Sequence, residues 1–203
     1  MGDPHSEKKD AQEQVRGLLT GNTLDLEAAE SAMDALPPDL RLALIRTFSR
    51  KFQADLFEAA KGRRVTLAHI VPAGTKPLVE VIHEGKNTLP AFTQFQKRFC
   101  RSPLAPDKEL WGYNHQTMAW ATGPGYFVAF EDGNEIAIDY TKIPPSKPET
   151  WPAILRNDQR LSRFVYNGTI DYLRRVSAHV TIGRATRANK PMDAWFVLCR
   201  QGK

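Results

Sequence analysis

The feature that most constrains the fold of this chain is an uneven alternation of side chains in its C-terminal half. Bulky residues alternate with small or polar ones over four segments, 116–122, 126–131, 135–141 and 176–182. Successive side chains of a β-strand point to opposite faces of a sheet. The four segments therefore predict an antiparallel sheet with one well-filled face and one sparse face. Such a sparse face is covered by a helix or left open for a ligand.

The two predicted faces differ in chemistry. The bulky set contains Met118, Trp120, Tyr126, Val128, Phe130, Ile136, Ile138, Tyr140, Val176, Ala178, Val180 and Ile182. The sparse set contains Thr117, Ala119, Ala121, Phe127, Ala129, Ala137, Asp139, Ser177, His179 and Thr181. Polar groups among small residues are what a ligand cup needs, so the sparse face is the predicted site.

Length and composition indicate a globular protein. With 203 residues, 41% hydrophobic and 25% charged, the chain can form one substantial core with a helical appendage. No apolar run approaches the roughly 20 residues that cross a bilayer, and the N-terminus lacks a signal-peptide pattern. These features predict a cytoplasmic protein.

Charge is distributed unevenly along the chain. The first 64 residues carry ten basic and eleven acidic side chains, whereas the last 52 carry ten basic and three acidic. A basic C-terminal half favours an anionic partner, such as a fatty acid, a phosphate-bearing metabolite, nucleic acid or an acidic protein surface.

The predicted organisation is a polar tail over 1–9, a helical module over 10–64 and an α+β sheet domain over 65–203. In the module, apolar spacing predicts a helix over 24–36, capped by Asn22 or Thr23, and a long helix over 39–61. The apolar stripes of these helices need a partner, so we expect the module to dock on the sheet.

In the sheet domain, segments 65–71 and 78–82 predict a hairpin, and 110–113 a further strand. Two inserted helices are predicted, at 88–101 and 161–175, and the final hairpin pairs 176–187 with 194–200. The predicted fold class is therefore α+β: a curved antiparallel sheet of five to eight strands, with N-terminal helices and two inserted helices packed against it.

Histidines near this sheet are the candidate catalytic groups. His179 and Asp139 share the predicted sparse face, where they would form an acid–base pair or bind the polar end of a ligand. His115 follows an aromatic, glycine-containing strand and is a third candidate. The alternative for each histidine is a core side chain held by hydrogen bonds.

Two groups of residues suggest anion binding. Segment 83–88 precedes the predicted helix at 88–101, so its backbone amides and Lys86 could hold a phosphate or carboxylate. A predicted basic surface near the last hairpin contains Arg174, Arg175, Arg184, Arg187 and Lys190. Cations there would equally complement the negative C-terminal end of the predicted helix over 161–175, which is a purely structural role.

Several reaction classes lack their sequence motifs. The chain has no metal-binding histidine spacing, no Gly-x-Ser-x-Gly elbow and no Gly-x-Gly-x-x-Gly loop after a strand. Cys100 and Cys199 are far apart and lack the paired spacing of zinc or redox sites, and Cys199 is most simply a small buried residue. We therefore predict neither a metal nor a cofactor.

Three functional hypotheses follow. The first is a protein that holds an apolar ligand with an acidic head group, contacted by Ala119, Trp120, Ala121, Phe127, Ala129, Ala137, Tyr140, Ser177 and Thr181. The second is an adaptor whose basic hairpin binds an acidic protein or nucleic acid. The third is an acid–base enzyme that uses His179 and Asp139.

Overall fold

The computed structural model describes residues 25–116, 123–155 and 168–202, together with positions 13 and 17. In this part of the chain, eight strands form a closed antiparallel barrel in which every strand pairs with its neighbours in sequence and the last pairs with the first. The strands are β1 (Val81–Asn87), β2 (Gln94–Arg101), β3 (Leu110–His115), β4 (Tyr126–Asp132), β5 (Glu135–Asp139), β6 (Thr169–Arg175), β7 (Val180–Arg187) and β8 (Lys190–Arg200). The predicted curved antiparallel sheet is thus confirmed, and its closure into a barrel is new.

Four helices precede the barrel in the described residues: α1 (Leu26–Ala35), α2 (Pro38–Arg46), α3 (Arg50–Ala59) and α4 (Leu67–Ile70). Asp25 caps α1 by accepting from the amides of Glu27 and Ala28. The predicted caps, Asn22 and Thr23, lie outside the described residues. The single long helix predicted over 39–61 is wrong, because Ser49 caps a new helix by accepting from the Phe52 amide.

The first three helices pack on the outside of the barrel. Their buried side chains, such as Leu44 and Phe57, form one apolar cluster with Val180, Ile182 and Val197 of the last two strands. The helices therefore cover the outer face of β7 and β8. The barrel interior remains a separate compartment.

The segment before β1 fills one end of that interior. Val65, Ile70 and Val71 pack with barrel residues such as Phe99 and Leu110. The predicted strand over 65–71 is therefore wrong, because this apolar run enters the barrel as the short helix α4 with its flanks. Since its contacts lie at one end of the strands, the opposite end stays available to solvent or a ligand.

The helix predicted over 88–101 is also wrong, because residues 94–101 form β2. Phe95 and Phe99 are four residues apart, a spacing that places two side chains on one face of either a helix or a strand. For the helix predicted over 161–175, the described part is β6 and an ordinary strand. Residues 156–167 lie outside the description.

The small residues do not share one face. Ala129 faces the interior and pairs with Ile138, whereas Ala137 faces outward and pairs with Phe130. The prediction of a continuous sparse face is therefore wrong for β4 and β5. Short and long side chains alternate across the strands instead, which keeps the local volume filled on both faces.

Candidate functional site

The candidate site is a cavity of about 160 Å³ at the end of the barrel opposite α4. Seven of the eight strands, or their ends, contribute to its wall. The apolar part of the wall is formed by Leu89, Phe95, Ala185, Met192, Ala194, Trp195 and Phe196. The polar part is formed by Asn87, Lys97, Asn114, Gln116, Tyr140, Thr169 and Asp171. Asn87, Gln116 and Thr169 lie at strand ends, and the remaining polar residues form a buried polar inner end beside the apolar wall.

The polar inner end is built on Lys97, whose side chain is only 3% exposed. Its Nζ donates to Asn114 Oδ1 at 3.0 Å, to Asp171 Oδ2 at 3.1 Å and to the hydroxyl of Tyr140. Asn114 Nδ2 donates to the same hydroxyl at 3.0 Å, and that hydroxyl also contacts Asp171 Oδ2 at 3.2 Å. We call Lys97, Asn114, Tyr140 and Asp171 the Lys97 cluster.

Aromatic rings surround the Lys97 ammonium. Its nitrogen lies 4.8 Å from the ring centroid of Phe196, 5.0 Å from that of Tyr140 and 5.3 Å from that of Phe127. The negative faces of aromatic rings attract a cation at such distances. The rings and the three polar partners together enclose the ammonium, whose one carboxylate partner is Asp171.

Burial changes the proton affinity of both charged groups. It lowers the pKa of Lys97, although the Asp171 carboxylate partly opposes this change. It raises the pKa of Asp171, which Lys97 and the Tyr140 hydroxyl oppose. In a site this dry, desolvation disfavours the charged forms of both partners. A single hydrogen bond of 3.1 Å joins the two groups.

The predicted ligand-contacting residues are placed in different regions. Tyr140 lines the cavity, and Phe127 and Ala129 lie deeper in the barrel interior. Thr181 pairs with Leu198 toward the closed end, Ser177 holds the β6–β7 turn, and Ala137 faces outward. The remaining three, Ala119, Trp120 and Ala121, lie outside the described residues.

The predicted acid–base pair is not assembled in the barrel. Asp139 pairs with Ile170 near the start of β6, whereas His179 lies in the turn beyond its end. The Asp139 carboxylate accepts from the amide and hydroxyl of Thr141, and His179 Nδ1 lies 3.3 Å from Arg200. His115 lines a separate outer groove of about 560 Å³. None of the three lines the cavity around Lys97.

The structure also places the two predicted anion-binding groups in surroundings that differ from those expected. No helix follows segment 83–88, because residues 94–101 form β2, and Lys86 donates to the Arg46 carbonyl. Within the predicted basic surface, Arg174 pairs with Glu135 and Arg175 with Glu30. Arg184 donates to the Met192 carbonyl and lies over the Trp195 ring, while Arg187 is half-buried and Lys190 is exposed at the hairpin turn.

Lys97 is the residue that the sequence analysis missed. The predicted helix over 88–101 placed it on the outward face, yet it lies between Phe95 and Phe99 on the inward face of β2. The sequence did contain a signal for this position: Lys97 lies midway between Phe95 and Phe99, and in a strand these three side chains point to the same face. Asn114 and Asp171 come from strands far away in sequence, so no local motif joins them to Lys97.

Comparison with known proteins gives no matching family model and no curated protein of significant sequence similarity. Among the described residues, no three His, Cys, Asp or Glu side chains are grouped in a way that could hold a metal ion. No helix in the described ranges is long and apolar enough to span a membrane.

Proposed function

We propose that this protein binds one small apolar molecule in the open end of its barrel, with an uncharged oxygen group of that molecule on the Lys97 cluster. The observation that carries the proposal is the position of the cluster at the inner end of a cavity with apolar walls. Eight-stranded barrels are wide enough to hold one small ligand. A few converging polar groups inside an apolar wall are typical of such sites.

The charge of the cluster favours an uncharged head group. Asp171 already balances Lys97, so an added carboxylate would place a second negative charge beside Asp171. We therefore keep the apolar ligand of the sequence-based hypothesis and replace its acidic head by an alcohol or carbonyl oxygen. Asn114 Nδ2 has a second N–H that such an oxygen can accept from, and a ligand oxygen on Lys97 would replace one of its three present acceptors.

The volume of the cavity limits the size of the ligand. A protein cavity of about 150 Å³ accommodates benzene, and the cavity here measures about 160 Å³. The part of a ligand that fits inside is therefore about one six-membered ring with a short substituent. Larger molecules would extend through the open end, past Leu89 and Trp195.

The test is an NMR titration of the protein with benzyl alcohol, benzoate and toluene, which share a ring and differ in the head group. Benzyl alcohol is expected to give the tightest saturable binding, with shifts at Phe95, Lys97 and Phe196. Native mass spectrometry of the freshly purified protein adds a search for a ligand that is already bound. If none of the three compounds shifts cavity residues at any concentration, the proposal is wrong.

A matched pair of variants locates the binding. Ala185→Phe adds a ring to the cavity wall, whereas Ala59→Phe makes the same change at an exposed position on α3. We expect Ala185→Phe to lose benzyl alcohol binding, because the new ring fills the space, and Ala59→Phe to bind as the wild type does. If both variants bind benzyl alcohol as tightly as the wild type, the ligand does not bind in this cavity.

The basic-hairpin adaptor and the cytoplasmic location stay predictions from the sequence. Arg174 and Arg175 pair with carboxylates, so the adaptor hypothesis is tested at the residues of the hairpin itself, Arg184, Arg187 and Lys190. Loss of partner capture on reversing these three to Glu, without loss of stability, is the result that the adaptor hypothesis requires.

A further inference from the structure

The position of Lys97 in the cavity gives its amine access to a bound ligand. The Lys97 side chain is almost completely buried, yet the residue is part of the wall of a cavity at the open end of the barrel. An oxygen head group that accepts a hydrogen bond from Nζ also brings its carbon close to the same nitrogen. If that head group is a carbonyl, the two atoms are those that react to form an imine.

We propose that Lys97 forms a reversible imine with an aldehyde or ketone group of the ligand held in this cavity. This inference rests on the proposed function and narrows its ligand class from oxygen-bearing to carbonyl-bearing molecules. The neighbours of Lys97 supply the proton transfers that the reaction needs. Asp171 Oδ2 lies 3.1 Å from the amine, and the Tyr140 hydroxyl contacts both groups.

The first step is loss of a proton from the ammonium, because only the neutral amine is a nucleophile. Asp171 accepts this proton along its hydrogen bond to Nζ. Burial lowers the pKa of Lys97 and raises the pKa of Asp171, so the neutral pair is less disfavoured here than in water. The rings of Phe127, Tyr140 and Phe196 keep the pair dry.

The second step forms the carbon–nitrogen bond. The amine electron pair attacks the carbonyl carbon, and the π electrons of the carbonyl move to its oxygen, which takes a proton from the Tyr140 hydroxyl. Asp171 returns its proton to the Tyr140 oxygen and then accepts one of the two protons on the adduct nitrogen. That proton passes through Tyr140 to the adduct hydroxyl, the nitrogen electron pair forms the carbon–nitrogen double bond, the carbon–oxygen bond breaks, and water leaves. Overall, the lysine ammonium and the carbonyl compound give a protonated imine and one water molecule. The product keeps its positive charge beside Asp171.

The experiment exposes the intact protein to benzaldehyde and sodium cyanoborohydride, which reduces an imine to a stable secondary amine. Peptide mass spectrometry then locates the benzyl group. Lys97 is expected to carry about ten times more label than the exposed Lys51, because a solvated lysine amine is almost entirely protonated near pH 7. The variant Lys97→Arg should lose this label and keep the background labelling of Lys51.

Benzyl alcohol separates the two proposals, because it matches benzaldehyde in shape and cannot form an imine. If benzyl alcohol binds in the cavity while Lys97 is labelled no more than Lys51, the imine is excluded and the binding function stands. If neither compound binds or labels, both proposals are wrong. Because labelling is mapped on the wild-type protein, the result does not depend on how well a Lys97 variant folds.

Discussion

At the scale of single residues, burying the charged Lys97 side chain carries a large desolvation cost. A buried ion pair offsets its desolvation cost only when its remaining hydrogen-bonding groups are satisfied. Here Asn114 and Tyr140 complete the coordination of the ammonium, and Tyr140 also contacts the Asp171 carboxylate. The cluster should therefore be sensitive to the loss of either charged partner.

We predict that Lys97→Met destabilises the protein by about 3–5 kcal/mol near neutral pH, the usual cost of removing one partner from a buried ion pair. Methionine keeps the unbranched apolar stem among the rings, so the loss arises mainly from the uncompensated Asp171. Without Lys97 the pKa of Asp171 rises further above its unfolded value. The destabilisation should therefore grow as pH increases from the acid range. Urea unfolding at several pH values measures this.

The double variant Lys97→Met/Asp171→Leu is the control for this prediction. It removes both charges, so we expect it to be more stable than Lys97→Met alone and to lose the added pH dependence. A double variant as unstable as the single one would show that packing, rather than the unpaired carboxylate, causes the loss.

At the scale of the strands, three glycines make room for the rings that fill the barrel. Gly85 pairs with Phe95, Gly112 with Phe127, and Gly183 with Phe196 on neighbouring strands. A Cβ added at Gly85 would lie 2.6 Å from the Phe95 ring, and one at Gly112 would lie 2.6 Å from the Arg98 carbonyl oxygen. Each ring therefore lies over a residue that has no side chain.

We predict that Gly112→Ala destabilises the fold by about 1–3 kcal/mol, the range for overpacking a filled core. The added methyl group meets both the Phe127 ring and the backbone of β2, and the backbone cannot move away without disturbing the sheet. Gly74→Ala is the matched control, since nothing lies within 4 Å of its new Cβ. Thermal or urea unfolding of the two variants should differ clearly, and equal stabilities would contradict the prediction.

At the scale of the whole molecule, the barrel has one filled end and one open end. Residues 65–71 fill the first, and His83 connects them to the barrel wall because its Nε2 donates to the Ile70 carbonyl at 2.9 Å. The other ring nitrogen, Nδ1, is buried without a hydrogen-bond partner in the described structure. Burial lowers the pKa of His83 to about 4, so the ring is neutral in the folded protein.

This histidine predicts an acid-sensitive fold. An unfolded histidine takes up its proton near pH 6.5, whereas His83 in the folded protein does so near pH 4. Its contribution to stability is therefore complete above pH 6.5 and is lost as pH falls from 6.5 to 4. His83→Gln, which keeps a donor for Ile70, should weaken the dependence of the unfolding free energy on pH in this interval. If the unfolding free energy of the variant falls between pH 6.5 and pH 4 as steeply as that of the wild type, His83 is not the cause of the acid sensitivity.

The sequence was most informative where the interactions are local. The turns at 132–134 and 188–191 predicted the β4–β5 and β7–β8 hairpins, and Gly133, Ala188 and Asn189 have the positive φ angles of tight turns. Apolar spacing likewise predicted α1, and Pro38 begins α2. These elements depend on interactions between residues that are close in sequence, so a short segment is enough to predict them.

The sequence was least informative where the same apolar pattern fits a helix and a strand, or where the interacting residues come from different strands. Apolar residues over 65–71 and 88–101 fit more than one secondary structure. The pairing of β2 with β1 and β3 decides the second segment, and packing inside one end of the barrel decides the first. The Lys97 cluster has the same origin. Its members lie on β2, β3 and β6 or just after β5, and nothing in the local sequence of any one identifies the others.

By itself, the sequence determined an antiparallel sheet preceded by helices, because strand alternation, turn residues and caps act over a few bonds. The tertiary structure alone decided that β8 pairs with β1, that residues 65–71 fill one end, and that Lys97 points inward to meet Asp171. The physical reason is that closing the barrel leaves a fixed interior volume and no free sheet edge. Which side chains occupy that interior depends on all eight strands together.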